Sequence, residues 1–353
     1  MSHHDSPVSS TVSAATPLAD RFFRRGAEFL GCRYPVICGA MTWVSDPNLV
    51  AAVHAAGGFG CLAGGNTPPE ILERQIAETR ERTGNCFGVN VIVIAPAYKD
   101  HLELIRSAKP PFIIFAGSFP HEREVRQVKE TGAKVLCFAS TQSIAERMIR
   151  YGADGIILEG SESGGHIGHV ALSVLLQQVL FTCADKVPVF VAGGVGTARM
   201  SAHLFLMGAA GVQLGTRFAA STESCAHAKF KDMFLRAEAR DAVSTPQFDS
   251  RLPVVAVRAL RNKGHEEFRK LQLTLVQQLE AGTIRREQAQ MEVEKFWMGA
   301  LRRAVIDGDV EHGSLMAGQS VGLVERIESV GAIMNDLVTG TEAELQRVKA
   351  TLA

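Results

Sequence analysis

One histidine in a run of small residues could carry out acid–base chemistry. His166 lies within Leu-Glu-Gly-Ser-Glu-Ser-Gly-Gly-His-Ile-Gly, residues 158–168, directly after an apolar run. An imidazole can hold or release a proton near neutral pH. Gly164 and Gly165 lack a Cβ atom, which lets the backbone approach a flat or anionic ligand. These residue types predict a ligand-binding loop with His166 as its catalytic group. A purely structural role for His166 is the alternative at this point.

Two glycine-bearing turns later in the chain could bind phosphate. Gly193 and Gly194 follow the apolar run 187–192, and Gly215 and Thr216 follow the next one. Backbone N–H groups in such turns can converge on phosphate oxygens, and the dipole of a following helix adds to the attraction. A single Gly-Gly pair is more often an ordinary turn, so the prediction rests on the two turns together.

Other apolar runs end in residues that could border the same ligand. Gly39, Ala40 and Met41 follow the first run, Asn90 lies inside the third, and Glu159 ends the sixth. A buried amide in an apolar strand needs hydrogen-bond partners. A bound ligand or a neighbouring loop could supply the partners of Asn90, and the sequence does not decide between them.

Alternating strand-like and helix-like segments must position these residues. Strands that are apolar throughout are typical of a parallel sheet covered by helices. Eight such strands with intervening helices predict a (β/α)₈ TIM barrel, whose active site lies at the carboxyl ends of the strands and whose phosphate site often follows strands seven and eight. An open doubly wound sheet is the alternative. The predicted strands are 35–40, 59–62, 87–94, 112–115, 134–138, 155–159, 187–192 and 211–214.

The alternation stops after the eighth strand. Residues 223–311 are rich in Ala, Glu, Arg, Lys and Gln with helical periodicity, which predicts a helical lid or substrate domain over the barrel mouth, or else an oligomer contact. Within it, Arg258 is expected on a solvated helix face or against a charged ligand. The barrel is then assigned to 21–222 and 312–353, and residues 1–20 to a disordered tail.

Composition argues against several classes of function. The 353 residues have a formal net charge of zero, which gives no general attraction to nucleic acid or to an anionic membrane. No apolar run reaches the roughly 18 residues of a membrane span, and no signal-peptide core is recognised, so a cytoplasmic protein is expected. The seven cysteines form no CxxC pair and are expected to be buried thiols, with no metal site.

Taken together, the motifs resemble those of the FMN-dependent nitronate monooxygenases, formerly called 2-nitropropane dioxygenases, and of their relatives, the type II enoyl-acyl-carrier-protein reductases. The resemblance covers about residues 27–340. The motifs that carry it are Gly39-Ala40-Met41, Gly88-Val89-Asn90, Glu159-Gly160, Gly164-Gly165-His166, Gly193-Gly194, Gly215-Thr216-Arg217-Phe218 and Met316-Ala317-Gly318-Gln319.

The resemblance implies an FMN-binding barrel and a position for each residue around the cofactor. His166 would lie beside the reactive flavin face, and Gly164 and Gly165 would make room there. The phosphate would be held by Gly193, Gly194, Gly215 and Thr216. The isoalloxazine would be bordered by Gly39, Ala40, Met41 and Asn90, and the ribityl chain by Glu159 and Gly165. Gln319 would come from a loop that re-enters the site.

Two reactions are compatible with the resemblance. Oxidation of an alkyl nitronate with O₂ to a carbonyl compound and nitrite is favoured, with His166 orienting the anion or deprotonating a nitroalkane. The alternative is reduction of an enoyl thioester with NAD(P)H as reductant, and residues 307–324 resemble that branch. A flavin-free isomerase or lyase on a phosphorylated substrate is a remote alternative. A homodimer stays open.

Overall fold

Eight parallel strands close into a barrel. The structure is a computed structural model that describes residues 17–65, 67–246, 248–252 and 256–352. The order around the barrel is β1-β2-β3-β4-β5-β6-β8-β9, and β9 pairs with β1. The predicted TIM barrel is confirmed, and the open sheet is wrong. The barrel strands are β1 (Val36–Cys38), β2 (Phe59–Ala63), β3 (Phe87–Ile92), β4 (Phe112–Ala116), β5 (Lys134–Ala139), β6 (Gly155–Glu159), β8 (Val189–Ala192) and β9 (Gly211–Leu214).

Helices cover the outside of the barrel, and several begin at a side-chain cap. Asp46, Thr141 and Thr197 each accept the backbone N–H three residues ahead, which satisfies a donor left free at a helix start. The helices up to the end of the barrel are α1 (Pro17–Leu30), α2 (Pro47–Ala55), α3 (Pro69–Thr83), α4 (Tyr98–Ala108), α5 (Glu122–Lys129), α6 (Gln142–Arg150), α7 (Leu172–Leu175), a π-helical turn (Leu176–Leu180), α8 (Phe181–Cys183), α9 (Ala198–Leu206) and α10 (Thr216–Ala219).

Aromatic side chains fill the amino-terminal end of the barrel. Phe59 and Phe112 pack edge to face with ring centroids 5.0 Å apart. Phe29 of α1 closes this end, with its ring centroid 5.8 Å from those of Phe112 and Phe190. Because large side chains occupy this end, space for a ligand is left at the carboxyl ends of the strands.

A mostly helical segment, residues 223–311, follows the eighth barrel strand and is called the lid below. Its two long helices, α12 (Lys263–Glu280) and α13 (Arg286–Val305), form a hairpin with its own core, in which the ring centroids of Phe268 and Trp297 are 4.2 Å apart. The lid also has two strands that the helical periodicity did not predict. The remaining elements are α11 (Ala228–Arg236), β10 (Ala242–Ser244), β11 (Val257–Leu260), α12 (Lys263–Glu280), α13 (Arg286–Val305) and α14 (Val330–Leu352), with 3₁₀ turns at Ala239–Asp241 and Gln319–Leu323.

A small antiparallel sheet joins the lid to the barrel. Its order is β10-β11-β7, where β7 (Gly165–His166) belongs to the segment after the sixth barrel strand. Residues 17–20, which the sequence assigned to the tail, lie in α1, and the rest of that predicted tail is outside the described residues. Across the described residues, no helix has the length and apolarity to cross a membrane.

Candidate functional site

A cavity of about 420 Å³ opens at the carboxyl ends of the barrel strands. All of the predicted site residues except Gln319 line it. For Gln319, the two neighbours Gly318 and Ser320 line the cavity instead, and its own N–H donates to the carbonyl of Glu162 at 2.9 Å. The structure therefore brings the dispersed sequence motifs together at one place.

The two glycine turns lie side by side on one wall of this cavity. They follow β8 and β9, which pair directly through Ala192 and Gln213. Gly194 has a φ of +70°, and an added Cβ there would meet only Glu162, at 3.5 Å. An added Cβ on Gly215 would meet only the Met41 sulfur, at 3.6 Å. The space beside the two turns, bordered by the side chains of Glu162 and Met41, has room for the phosphate end of a flavin nucleotide.

A cationic side chain beside these turns is already paired. The guanidinium of Arg217 donates to Glu328 at 3.0 Å and to Asp336 at 2.7 Å. These ion pairs hold α14 and the segment before it against the barrel. Any phosphate binding in these turns rests on backbone N–H groups and on the Thr216 hydroxyl.

The re-entrant loop docks onto both the phosphate-side turn and the histidine segment. Thr216 Oγ1 accepts the N–H of Gly318 at 3.0 Å. On the other side, a Cβ on Gly164 would lie 2.6 Å from the Gly318 nitrogen, closer than real Cβ contacts come. Gly164 therefore permits close backbone packing between two segments of the protein. Gly165 has a φ of +77° and only the Met316 sulfur, at 3.6 Å, near its Cβ position.

His166 lies in a strand rather than in the irregular loop that the sequence predicted. It pairs with Val257 of β11, and the N–H of Ile167 donates to Ala256 O at 2.8 Å. His166 Nε2 is 3.5 Å from Oε1 of Glu294 on α13, an ion-pair separation without hydrogen-bond geometry. Burial lowers the pKa of His166, but the Glu294 carboxylate, with a smaller effect of Glu159, raises that pKa above its ordinary value overall.

Glu159 ends β6 with its side chain at the cavity. Burial away from water raises the pKa of Glu159 to about 8, although the Ser163 hydroxyl and the His166 charge oppose this rise. The carboxyl group therefore carries a proton for most of the time at neutral pH. The cavity wall then contains a neutral carboxylic acid close to an imidazole whose pKa is raised.

Asn90 lines the cavity from β3 and is also held by its neighbour strand. Its amide group donates to Ile114 O of β4 at 3.1 Å. The sequence left open whether a ligand or a neighbouring segment supplies the hydrogen-bond partners of Asn90. The neighbouring strand supplies at least one of these partners. Contact of the same amide with a ligand stays a prediction.

Two charged residues near His166 have positions that the sequence did not predict. Arg258, expected on a solvated helix face, is 9% exposed on β11. Its guanidinium donates twice to Ser161 O, at 3.1 and 2.9 Å, and to Ala242 O at 2.6 Å. The valines at 254, 255 and 257 could have indicated a strand before Arg258, because β-branched residues are enriched in strands. Glu294 carries no such signal, because α13 contains several glutamates and only tertiary packing selects one of them.

Apolar side chains form the rest of the cavity wall. They come from the carboxyl ends of β3 and β5, from the loop after β4 and from the end of α13. The principal ones are Ile92, Phe119, Phe138, Leu301 and Val305. Within the described residues, no group of His, Cys, Asp or Glu is arranged to hold a metal ion.

Comparison with known proteins gives one family and relatives with different activities. The nitronate monooxygenase family model matches residues 25–340. The (3aS,4S,5R,7aS)-5-hydroxy-7a-methyl-1-oxo-octahydro-1H-indene-4-carboxyl-CoA dehydrogenase of Mycobacterium tuberculosis is 30% identical over 92% of this chain and 97% of its own. A probable nitronate monooxygenase of Staphylococcus aureus is 27% identical over 69% of this chain and 79% of its own. The structure of FabK from Thermotoga maritima matches with a TM-score of 0.81 and 35% identity, over 93% of this chain and 98% of that one.

Proposed function

We propose a reaction for this chain, which belongs to the nitronate monooxygenase family of oxidoreductases. In this proposal the protein uses FMN and NAD(P)H to reduce the carbon–carbon double bond of an enoyl thioester. The observation that carries this proposal is the extended apolar wall, with Phe119, Phe138 and Leu301, in the same cavity as His166. Such a wall suits an acyl chain better than it suits a small polar anion.

The relatives support a thioester substrate. FabK, a type II enoyl-acyl-carrier-protein reductase, and the carboxyl-CoA dehydrogenase are 35% and 30% identical and match more than nine-tenths of this chain. The nitronate monooxygenase relative is 27% identical and matches 69% of it. The sequence motifs alone favoured nitronate oxidation. The greater coverage and identity of FabK and of the carboxyl-CoA dehydrogenase favour a reaction on a thioester.

The site residues fit an FMN. The turns at Gly194 and Gly215 leave room for the phosphate, and Met41 and Asn90, which line the same cavity, would border the ring system. When bound, FMN would supply hydride transfer between the nicotinamide and the β-carbon of the thioester. His166 belongs to the β10-β11-β7 sheet, and Glu294 of α13 lies 3.5 Å from its side chain, so this part of the protein would limit the access of water to the reacting atoms.

The protein's own contribution to the chemistry centres on His166. Negative charge grows on the thioester carbonyl oxygen as the β-carbon is reduced. An imidazolium on the cavity wall stabilises that charge and is a proton source for the α-carbon. The pKa of His166, raised by Glu294, keeps more of the imidazole in that form at neutral pH.

Nitronate oxidation is the second candidate. The family itself and the Staphylococcus aureus relative favour it. The same positively charged imidazole would hold a nitronate, which is already an anion when it binds.

Steady-state assays test the choice of substrate. The purified yellow protein is assayed for NADH and NADPH oxidation with crotonyl-CoA and, separately, for oxygen uptake with ethylnitronate. The proposal predicts rapid enoyl-CoA reduction that falls by at least about a hundredfold in His166→Ala, a loss typical of removing a general acid. Oxygen uptake with ethylnitronate, without reduction of crotonyl-CoA or of a longer enoyl-CoA, would overturn the proposal in favour of nitronate oxidation.

A further inference from the structure

The lid brings one carboxylate to the histidine of the barrel. Glu294, in the middle of α13, is 13% exposed, and the His166 side chain 3.5 Å away is 23% exposed. In the described part of the chain, Glu294 makes no other ion pair. Its neighbour Glu292 pairs instead with Lys295 at 2.8 Å on the lid surface.

The charges that face His166 come from three elements. Glu294 faces it from α13 and Glu159 from β6, and burial keeps the Glu159 carboxyl largely protonated at neutral pH. On β11, Arg258 pairs opposite Gly165, but its guanidinium donates to backbone carbonyls. Glu162, on the same segment as His166, accepts the N–H of Leu172. Glu294 is therefore the negative charge that acts on the imidazole.

A carboxylate removed from water needs a cation or hydrogen bonds to offset its lost hydration. An imidazolium supplies that cation, and the carboxylate in turn favours the protonated ring. The 3.5 Å contact is made by Nε2, which is buried and has no hydrogen-bond partner within the described residues. With Nε2 turned toward α13, Nδ1 is the ring nitrogen left to meet a substrate.

We propose that Glu294 is a positioning residue that holds His166 in its cationic form with Nε2 toward the lid. Helix α13 thus completes the acid–base group of the cavity. The part of this inference that concerns substrate rests on the proposed function. The pairing of Glu294 with His166 does not.

The test measures His166 directly, with FMN bound. Histidine side chains labelled with ¹⁵N are followed by NMR from pH 5 to pH 9, and His166→Gln identifies the His166 signals. Glu294→Gln keeps the size of the side chain and removes its charge. The proposal predicts that His166 loses its proton at lower pH in Glu294→Gln than in the wild type, and that Glu294→Asp restores most of the difference. Glu292→Gln, on the same helix, is the control and leaves the His166 titration unchanged.

Turnover gives the second readout. In Glu294→Gln, turnover at pH 8 is expected to fall by about tenfold and that at pH 6 by less than about twofold, because the cationic acid is retained only at the lower pH. An unchanged His166 titration in Glu294→Gln would overturn the proposal, whatever the turnover. A shifted titration in a protein that does not reduce enoyl thioesters would support the pairing of Glu294 with His166 and would contradict only the proposed function.

Discussion

The backbones of Gly164 and Gly318 are in direct contact, so that a Cβ atom on Gly164 would lie 2.6 Å from the Gly318 nitrogen. These glycines belong to the histidine segment and to the re-entrant loop, which are far apart in sequence. Because Gly318 also donates to Thr216, the contact links the histidine segment to the turn that follows the eighth barrel strand. The glycine pair is therefore one contact, beside the Gln319–Glu162 hydrogen bond, that joins the two halves of the site.

Gly164→Ala should disturb both halves together. A methyl group placed against backbone atoms forces a shift, and overpacking of this kind costs about 1–3 kcal/mol of unfolding free energy. We expect lower thermal stability and weaker FMN retention, measured by thermal unfolding and by flavin absorbance after gel filtration. Gly299→Ala is the matched control, since its added methyl has only the Arg303 side chain, at 3.9 Å, within reach. Wild-type stability and cofactor content in Gly164→Ala would contradict the coupling.

Gly215→Asp should prevent FMN binding through charge. The φ of Gly215 is −117°, so a side chain can be added without backbone strain. Gly215→Asn adds the same volume without the negative charge. We predict FMN binding at least about tenfold weaker in the Asp variant than in the Asn variant, because the carboxylate would repel the phosphate. Equal dissociation constants in a fluorescence titration would show that the phosphate is bound elsewhere.

Arg258 should be required for the stability of the small sheet. Arg258→Met removes the donor from the buried carbonyl of Ala242, at a cost of about 1–3 kcal/mol, and from the part-buried carbonyl of Ser161, at a smaller cost. Arg258→Lys should be intermediate, because one ammonium group cannot span both carbonyls as a guanidinium does. Urea unfolding measures the loss, and Arg269→Met, at an exposed position on α12, is the control. If the Arg258→Met and Arg269→Met variants are equally stable, the sheet does not depend on this residue.

Glu159 should make the stability of the protein depend on pH. The pKa of this carboxyl rises from an ordinary 4.5 to about 8 on folding, so the folded state binds the proton more tightly than the unfolded state does. Stability therefore falls as pH rises through this range. Glu159→Gln does not titrate, so its melting temperature relative to the wild type should be higher at pH 8 than at pH 5. Glu325→Gln, at an exposed position, serves as the control. A constant difference between wild type and Glu159→Gln across this range would mean that Glu159 is charged in the folded protein.

The barrel was predictable from sequence because its strands are buried apolar runs and most of them are followed directly by a helix. The predicted runs 155–159 and 211–214 have the same bounds as β6 and β9. The β10-β11-β7 sheet was not predictable in the same way, since strands of two to four residues are too short to show alternation. His166 was found by its glycine-rich surroundings, whereas its strand conformation depends on pairing with the distant Val257. The part played by Glu294 depends wholly on where the lid packs.

The most direct test of the central claim is an anaerobic double-mixing experiment in a stopped-flow cell. The purified protein is first mixed with NADH or NADPH and then with crotonyl-CoA, while the visible flavin absorbance is followed. The proposed function predicts loss of absorbance in the first step and recovery in the second without oxygen. No loss of absorbance with either nicotinamide, in a protein that consumes oxygen with ethylnitronate, would contradict it.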